Sequence, residues 1–212
     1  MSFRRKVKEY AEAPFSHYMV AEILPGYNSV NDKISELMKN GQLLSIRRGL
    51  YVPGPETDLP IPNKFLIANH LRGPSYVSLE SALFYWQMIP EQVYEISSVT
   101  LKTTKTYTTD IGRFSYQYLK APYYSFGVQR IQFAPQQFAL FASKEKALCD
   151  KIALTSGVIL RSIQQTKDFL LDDMRMDEEI LRALSLSTIH SWLEDAPKRN
   201  SLKILIKTLE VL

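Results

Sequence analysis

Between Ser16 and Val52 the apolar residues change their period, and the change predicts helices followed by a ribbon. Ser16 stands where a helix N-cap is wanted, and Met19, Val20, Ile23 and Leu24 behind it share one helical face until Pro25-Gly26 ends the run. Asn28 or Ser29 then opens a helix in which Val30, Ile34, Leu37 and Met38 recur at helical spacing. Lys39-Asn40-Gly41 closes it with a cation in the last turn and a capping glycine. Next come two short apolar runs, 42–46 and 50–52, around Arg47-Arg48-Gly49, the pattern of a tight hairpin with two guanidinium groups at its tip. Preceded by a short charged helix over 3–12, this order of three helices and a two-stranded ribbon is that of a winged helix-turn-helix.

Prolines at 53, 55, 60 and 62 deny the next stretch both helix and ladder hydrogen bonds and predict a linker over 53–62. Beyond it, 63–71 reads as a helix stopped by Gly73-Pro74, and Ser78 caps a second over 79–87 with Leu79, Ala82, Leu83 and Trp86 on one side. The stretch 93–142 is β-rich: 93–101, 113–118 and 128–133 read as strands, the last two alternating with period two. Local connections predict an antiparallel sheet. Ser143 caps a helix over 144–155, and the remainder reads as a helical tail from about 156. The expected fold class is α+β, with a winged helix over 1–52 and a larger mixed domain over 63–212.

Composition narrows the class. Hydrophobic residues make up 45% of the 212, charged residues 23% and aromatics 11%, a globular balance that excludes a disordered or fibrous chain. The single cysteine, Cys149, closes no internal disulfide and builds no thiolate-rich zinc site, which points to a reducing compartment. With no apolar run of signal-peptide or membrane-spanning length, the expectation is a cytoplasmic protein without membrane contact. The net charge of +4 permits nucleic-acid binding without demanding it. Positive charge falls in two blocks, 1–52 and 101–151.

In the first block the chemistry that fits is DNA recognition, a helix entering the major groove while the wing tip meets phosphate or minor groove. The apolar positions of the helix over 30–39 face inward, which leaves Ser29, Asn31, Lys33, Ser35 and Lys39 as candidate DNA contacts, together with Arg47 and Arg48, whose guanidiniums are always charged and present a fork of donors. Asp32 and Glu36 on the same helix speak for the alternative, a protein-interaction module. In the second block, Lys102, Lys105, Arg113, Lys120, Arg130, Lys144, Lys146 and Lys151 form either a nucleic-acid surface or a patternless solvated one. Phe114, Tyr116 and Tyr118 suit base stacking or, more simply, the buried side of a strand.

Enzyme signatures are missing. No glycine is followed by serine, no G-x-x-x-x-G-K-[ST] loop or G-x-S-x-G elbow occurs, and no acidic residue has lysine two positions later. His17, His70 and His190 lack ligand spacing, so no metal or cofactor is expected. Cys149 reads as a small buried hydrophobe, and Glu80 and Glu145 are the carboxylates to consider for a nucleic-acid-processing enzyme.

Three segments, Arg47-Arg48-Gly49-Leu50-Tyr51-Val52, the run 74–83 (PSYVSLESAL) and the run 144–150 (KEKALCD), resemble in order and spacing those of AbiEi-type antitoxins. The likeness spans roughly 15–155. It implies an N-terminal winged helix that represses its own operon by binding double-stranded operator DNA. It further implies a domain that opposes a separate nucleotidyltransferase toxin, with or without a stable complex. The family's wing pattern falls here on Arg48, Gly49 and Tyr51, and its helix-start pattern on Ser78, Ser81, Ala82 and Leu83. Trp86-Gln87-Met88 departs from the family's glycine-containing turn, and the helical tail after Thr155 matches little of it. A solitary winged-helix regulator without a toxin remains the alternative.

Overall fold

Serine hydroxyls set the N-terminal unit by capping its helices. In the structure, a computed structural model describing residues 3–27 and 29–212, the chain opens with α1 (Phe3–Lys8), a short β1 (Phe15–Ser16), α2 (His17–Ile23) and α3 (Val30–Lys39). β2 (Leu43–Arg47) and β3 (Leu50–Pro53) follow. The Ser16 hydroxyl accepts the Met19 N–H at 3.2 Å, and that of Ser29 accepts the Asp32 N–H at 3.4 Å. Asn28, the other expected start of α3, lies outside the described residues. α1 ends at Lys8, short of the expected Glu12. The expected two-stranded ribbon has three strands in the order β1-β3-β2, because fully buried Phe15 carries its segment into register with Tyr51.

β3 joins two cores. Its side chains alternate across the strand. Tyr51 enters a small core with Val7, Phe15, Val20, Ile34, Leu37 and Leu43, whereas Leu50 and Val52, with Ile46 from β2, enter the larger core of the rest of the chain. The stretch expected as a free linker begins as a packed strap. Pro53 pairs with Leu43, the Gly54 and Glu56 N–H groups donate to the Gln42 and Gly41 carbonyls at 3.0 Å, and the Thr57 hydroxyl donates to the Gly54 carbonyl at 2.6 Å. A Cβ on Gly54 would run into the Gly41 carbonyl, so only glycine allows this approach.

The larger unit runs α4 (Lys64–Leu71), β4 (Ser75–Val77), α5 (Leu79–Tyr85), β5 (Ile96–Thr100), β6 (Lys105–Thr109), β7 (Gly112–Tyr118), β8 (Val128–Ala134), β9 (Gln137–Ala142), α6 (Lys144–Leu154), α7 (Ile163–Lys167), a π-helical turn at Asp168–Asp173, α8 (Glu178–Arg182), α9 (Leu186–Ser191) and α10 (Arg199–Leu209). It is a mixed α+β unit. Its six-stranded sheet has the order β6-β7-β5-β4-β9-β8. The expectation of an antiparallel sheet is corrected here. β6–β7, β4–β5 and β8–β9 are antiparallel, but β5–β7 and β4–β9 are parallel, because β6 moves to the edge and β9 returns beside β4 from far along the chain. α4 and α5 pack on the sheet, α6 on α5, and α9 and α10 on α6. No helix among the described residues is long and apolar enough to cross a membrane.

Candidate nucleic-acid interface

Arg47 pairs with Leu50, so Arg48 and Gly49 alone make the turn between β2 and β3. Gly49 sits at φ +75°, a conformation in which a side chain is strained. Both arginines are exposed, and neither forms a salt bridge among the described residues. The turn is stitched to α3 through His17. Its backbone N–H donates to the Gly49 carbonyl at 3.0 Å, and its ring Nε2 lies 2.8 Å from Asn31 Oδ1, an arrangement that needs the proton on Nε2.

α3 is ten residues, about 15 Å, long. At 100° per residue, Asn31, Ser35 and Lys39 share one exposed flank, on the side that meets His17. The Ser35 hydroxyl donates back to the Asn31 carbonyl at 2.9 Å. Asp32, next to Lys39 around the helix, and Glu36 occupy the outward face between that flank and Lys33. Lys33 lies on the far flank, where its ammonium contacts Glu36 at 2.6 Å and sits 5.2 Å from the centre of the Tyr27 ring. The Glu36 hydrogen bond is the main cause of a raised Lys33 pKa. The sequence-derived candidates thus divide. Asn31, Ser35 and Lys39 share a flank of α3 that His17 links to the turn of Arg48 and Gly49, Lys33 lies on the other flank with Glu36, and the Ser29 hydroxyl is engaged as a cap.

The second basic block does not form one surface. Arg113 pairs with Glu95 at 2.6 Å, Lys151 with Glu80, and Arg130 lies 3.9 Å over the Phe138 ring. Lys146 is fully buried. Phe114 and Tyr116 are core residues, and only Tyr118 of that stripe is exposed. The Glu145 carboxylate accepts from the Ser143 hydroxyl at 2.9 Å and the Ser185 N–H at 3.1 Å, roles of a helix-terminal brace. Cys149 is buried, and desolvation pushes its thiol pKa up. Among the described residues no group of three or more His, Cys, Asp or Glu is placed to hold a metal ion.

Segments 74–83 and 144–150 meet at one buried carboxylate. Asp150 Oδ2 accepts from the Tyr76 hydroxyl at 2.9 Å and the Ser78 hydroxyl at 2.8 Å. Its Oδ1 lies 2.9 Å from the Lys146 ammonium, in ion-pair contact but off the direction of a hydrogen bond. Lys146 also donates to the Tyr123 carbonyl at 2.9 Å and lies 3.5 Å from the centre of the Tyr123 ring. Burial drives both partners toward their neutral forms, Asp150 upward and Lys146 downward in pKa, against the attraction between them. The Ser78 side chain therefore binds Asp150 rather than capping α5 as expected. Ser81 is tied to β5, its hydroxyl accepting the Ser97 N–H at 2.8 Å. Leu79 between them is held at φ +54° by this network.

Sequence reasoning left His17 out of the interface and did not single out Arg72, which faces the hairpin from the end of α4. Neither carries a local spacing signal; both are brought to the hairpin by tertiary packing. No protein-family model matches the chain, and no curated protein matches it significantly.

Proposed function

We propose that the chain is a DNA-binding transcriptional repressor whose residues 1–52 act as a winged helix-turn-helix, and that it is the antitoxin of an abortive-infection system opposing a nucleotidyltransferase toxin. The observation that carries the DNA reading is the pair Arg47 and Arg48, exposed and without a salt bridge among the described residues, on a turn that His17 ties to Asn31 on the exposed flank of α3. On this reading α3 enters the major groove. Asn31 has given its Oδ1 to His17, so its Nδ2 remains to donate to a base acceptor. Arg48 reaches phosphate or a narrow minor groove. Because the hairpin is seated on the larger core, the two contact elements are set relative to each other before DNA arrives, which lowers the ordering cost of binding. The antitoxin role rests on the order of the segments at 47–52, 74–83 and 144–150.

The test is a polarisation titration with duplexes from the protein's own promoter and of random sequence over a series of salt concentrations. Arg48→Ala should weaken both and flatten the salt slope by about 1. An unchanged slope would remove the hairpin from the mechanism. A nucleotidyltransferase encoded beside this chain should arrest growth alone and be counteracted by co-expression of the chain; repression without such a neighbour or without rescue leaves a solitary regulator. Asp32 and Glu36 on the outward face of α3 favour a second reading, a protein-binding module. Absence of any DNA retardation together with direct capture of the toxin would select it.

A further inference from the structure

Arg47 does not only belong to the turn. It also lines a pocket of about 320 Å³ at the seam between the two units, with Asn69, His70 and Arg72 at the end of α4, Lys102 after β5 and Tyr107 on β6. No carboxylate lines it. Arg72 is clamped in place. Its Nη2 donates to the Thr103 carbonyl at 2.6 Å and the Thr103 hydroxyl at 2.9 Å, its Nη1 donates to the Tyr107 hydroxyl at 3.2 Å, and its buried Nε has no partner. Both guanidiniums also act on the buried Tyr116 hydroxyl, pulling against the burial that raises its pKa.

Two guanidiniums and an ammonium gathered around one hollow repel one another, and no acidic side chain lining it offsets them. An oxyanion does so, and the forked donors of arginine match the oxygens of a phosphate. The volume sits at the bottom of the range for ligand sites, about 300–1,000 Å³, and suits a phosphate group better than a whole nucleotide. Arg47 and Arg48 are consecutive, their Cα atoms about 3.8 Å apart, so the pocket begins one residue from the turn.

We propose that this pocket holds a backbone phosphate of the bound duplex, with Lys102 and Arg72 of the larger unit completing a grip begun by Arg47, so that the DNA footprint extends beyond the N-terminal unit. The inference rests on the DNA reading above. Lys102 tests it, because its side chain is exposed and removing it breaks no hydrogen bond of the described residues. In the full chain, Lys102→Ala should weaken promoter and random duplexes alike and lower the salt slope by about 1, and Lys102→Arg should restore it. Arg48→Ala is measured beside it. If Arg48→Ala lowers the slope and Lys102→Ala does not, the seam site is overturned while the DNA reading stands. If neither changes it, the DNA reading fails and the proposal with it. Titration with inorganic phosphate, followed by ³¹P line width, separates the sources. Phosphate binding lost in Lys102→Ala, with the duplex slope unchanged, would make this a free-phosphate site and overturn the assignment to DNA.

Discussion

At the hairpin turn two exposed arginines have no salt-bridge partner among the described residues, whereas in the larger unit Lys146 and Asp150 are fully buried and face each other at 2.9 Å. The contrast separates two uses of charge. An exposed cation costs little to leave unpaired, so the N-terminal unit keeps its guanidiniums available to an anionic partner. A buried charge is tolerable only when hydrogen-bonded and paired, and Asp150 accordingly collects Tyr76, Ser78 and Lys146. It ties β4 to α6 and thereby positions the sheet on which the hairpin sits.

Removing one member of the buried set should produce the largest effect. Asp150→Ala strands the Lys146 ammonium and two hydroxyls without water, and Lys146→Met strands the carboxylate. Each should cost about 3–5 kcal/mol in urea denaturation. The double variant Lys146→Met/Asp150→Leu should recover much of this, short of full recovery because the Ser78 and Tyr76 hydroxyls lose their acceptor, a penalty of about 1–3 kcal/mol for each such group. Arg48→Ala should change stability by less than about 0.5 kcal/mol. Equal losses for Arg48→Ala and Asp150→Ala would erase the contrast.

The strap between the units comes next. Gly54→Ala puts a methyl against the Gly41 backbone, which has no flexible end to move, and should cost about 1–3 kcal/mol by overpacking. Gly157, at φ +79° with nothing within 4 Å of its would-be Cβ, carries only the conformational part, about 1 kcal/mol. Thermal melts of the two alanine variants measure the difference, and equal shifts would show that the strap yields.

Local signals made much of this fold legible. Caps at Ser16, Ser29 and Ser143 and the turn around Gly49 are properties of a few neighbouring residues, and the structure places them as read; of the apolar period of α3, Ile34 and Leu37 are buried but Met38 is exposed. Pairings between distant segments were not legible. Period two locates β7 and β8 but does not state that β5 lies parallel to β7, and the polar Lys-Thr-Tyr-Thr-Thr of β6 shows no alternation to find. The prolines of 53–62 exclude an α-helix, though a 3-10 turn forms at Pro55–Thr57. They do not reveal that Pro53 extends β3 or that Gly54 packs on Gly41. For the candidate interface, the exposed positions of α3 and the hairpin arginines follow from pattern. The division of α3 into two flanks follows from its neighbours, His17 on one side and Tyr27 with Glu36 on the other.

His17 is the smaller lever on the N-terminal side. His17→Ala frees the Asn31 amide to rotate, and on the DNA reading it should weaken promoter binding by about 0.5–1.5 kcal/mol, the net worth of one hydrogen bond, while leaving the salt slope in place. The phosphate contacts themselves are untouched. A lowered slope would mean that His17 touches the backbone directly rather than orienting Asn31.

The smallest expected effect lies where the comparison is least clean, at the one surface cation of α3 that already has a partner. Lys33 and Glu36 are three residues apart, and Glu36 is half exposed, so Lys33→Ala should leave stability nearly unchanged. Its effect on DNA is more informative. On the DNA reading, a lysine engaged with Glu36 and resting against Tyr27 releases no counterion on binding, so its loss should leave the salt slope where it is, and Glu36→Gln should tighten binding by removing a carboxylate from the face proposed to meet phosphate. If Lys33→Ala instead flattens the slope by about 1, the lysine leaves Glu36 for the backbone when DNA binds, and the paired cation belongs with Arg47 and Arg48 after all.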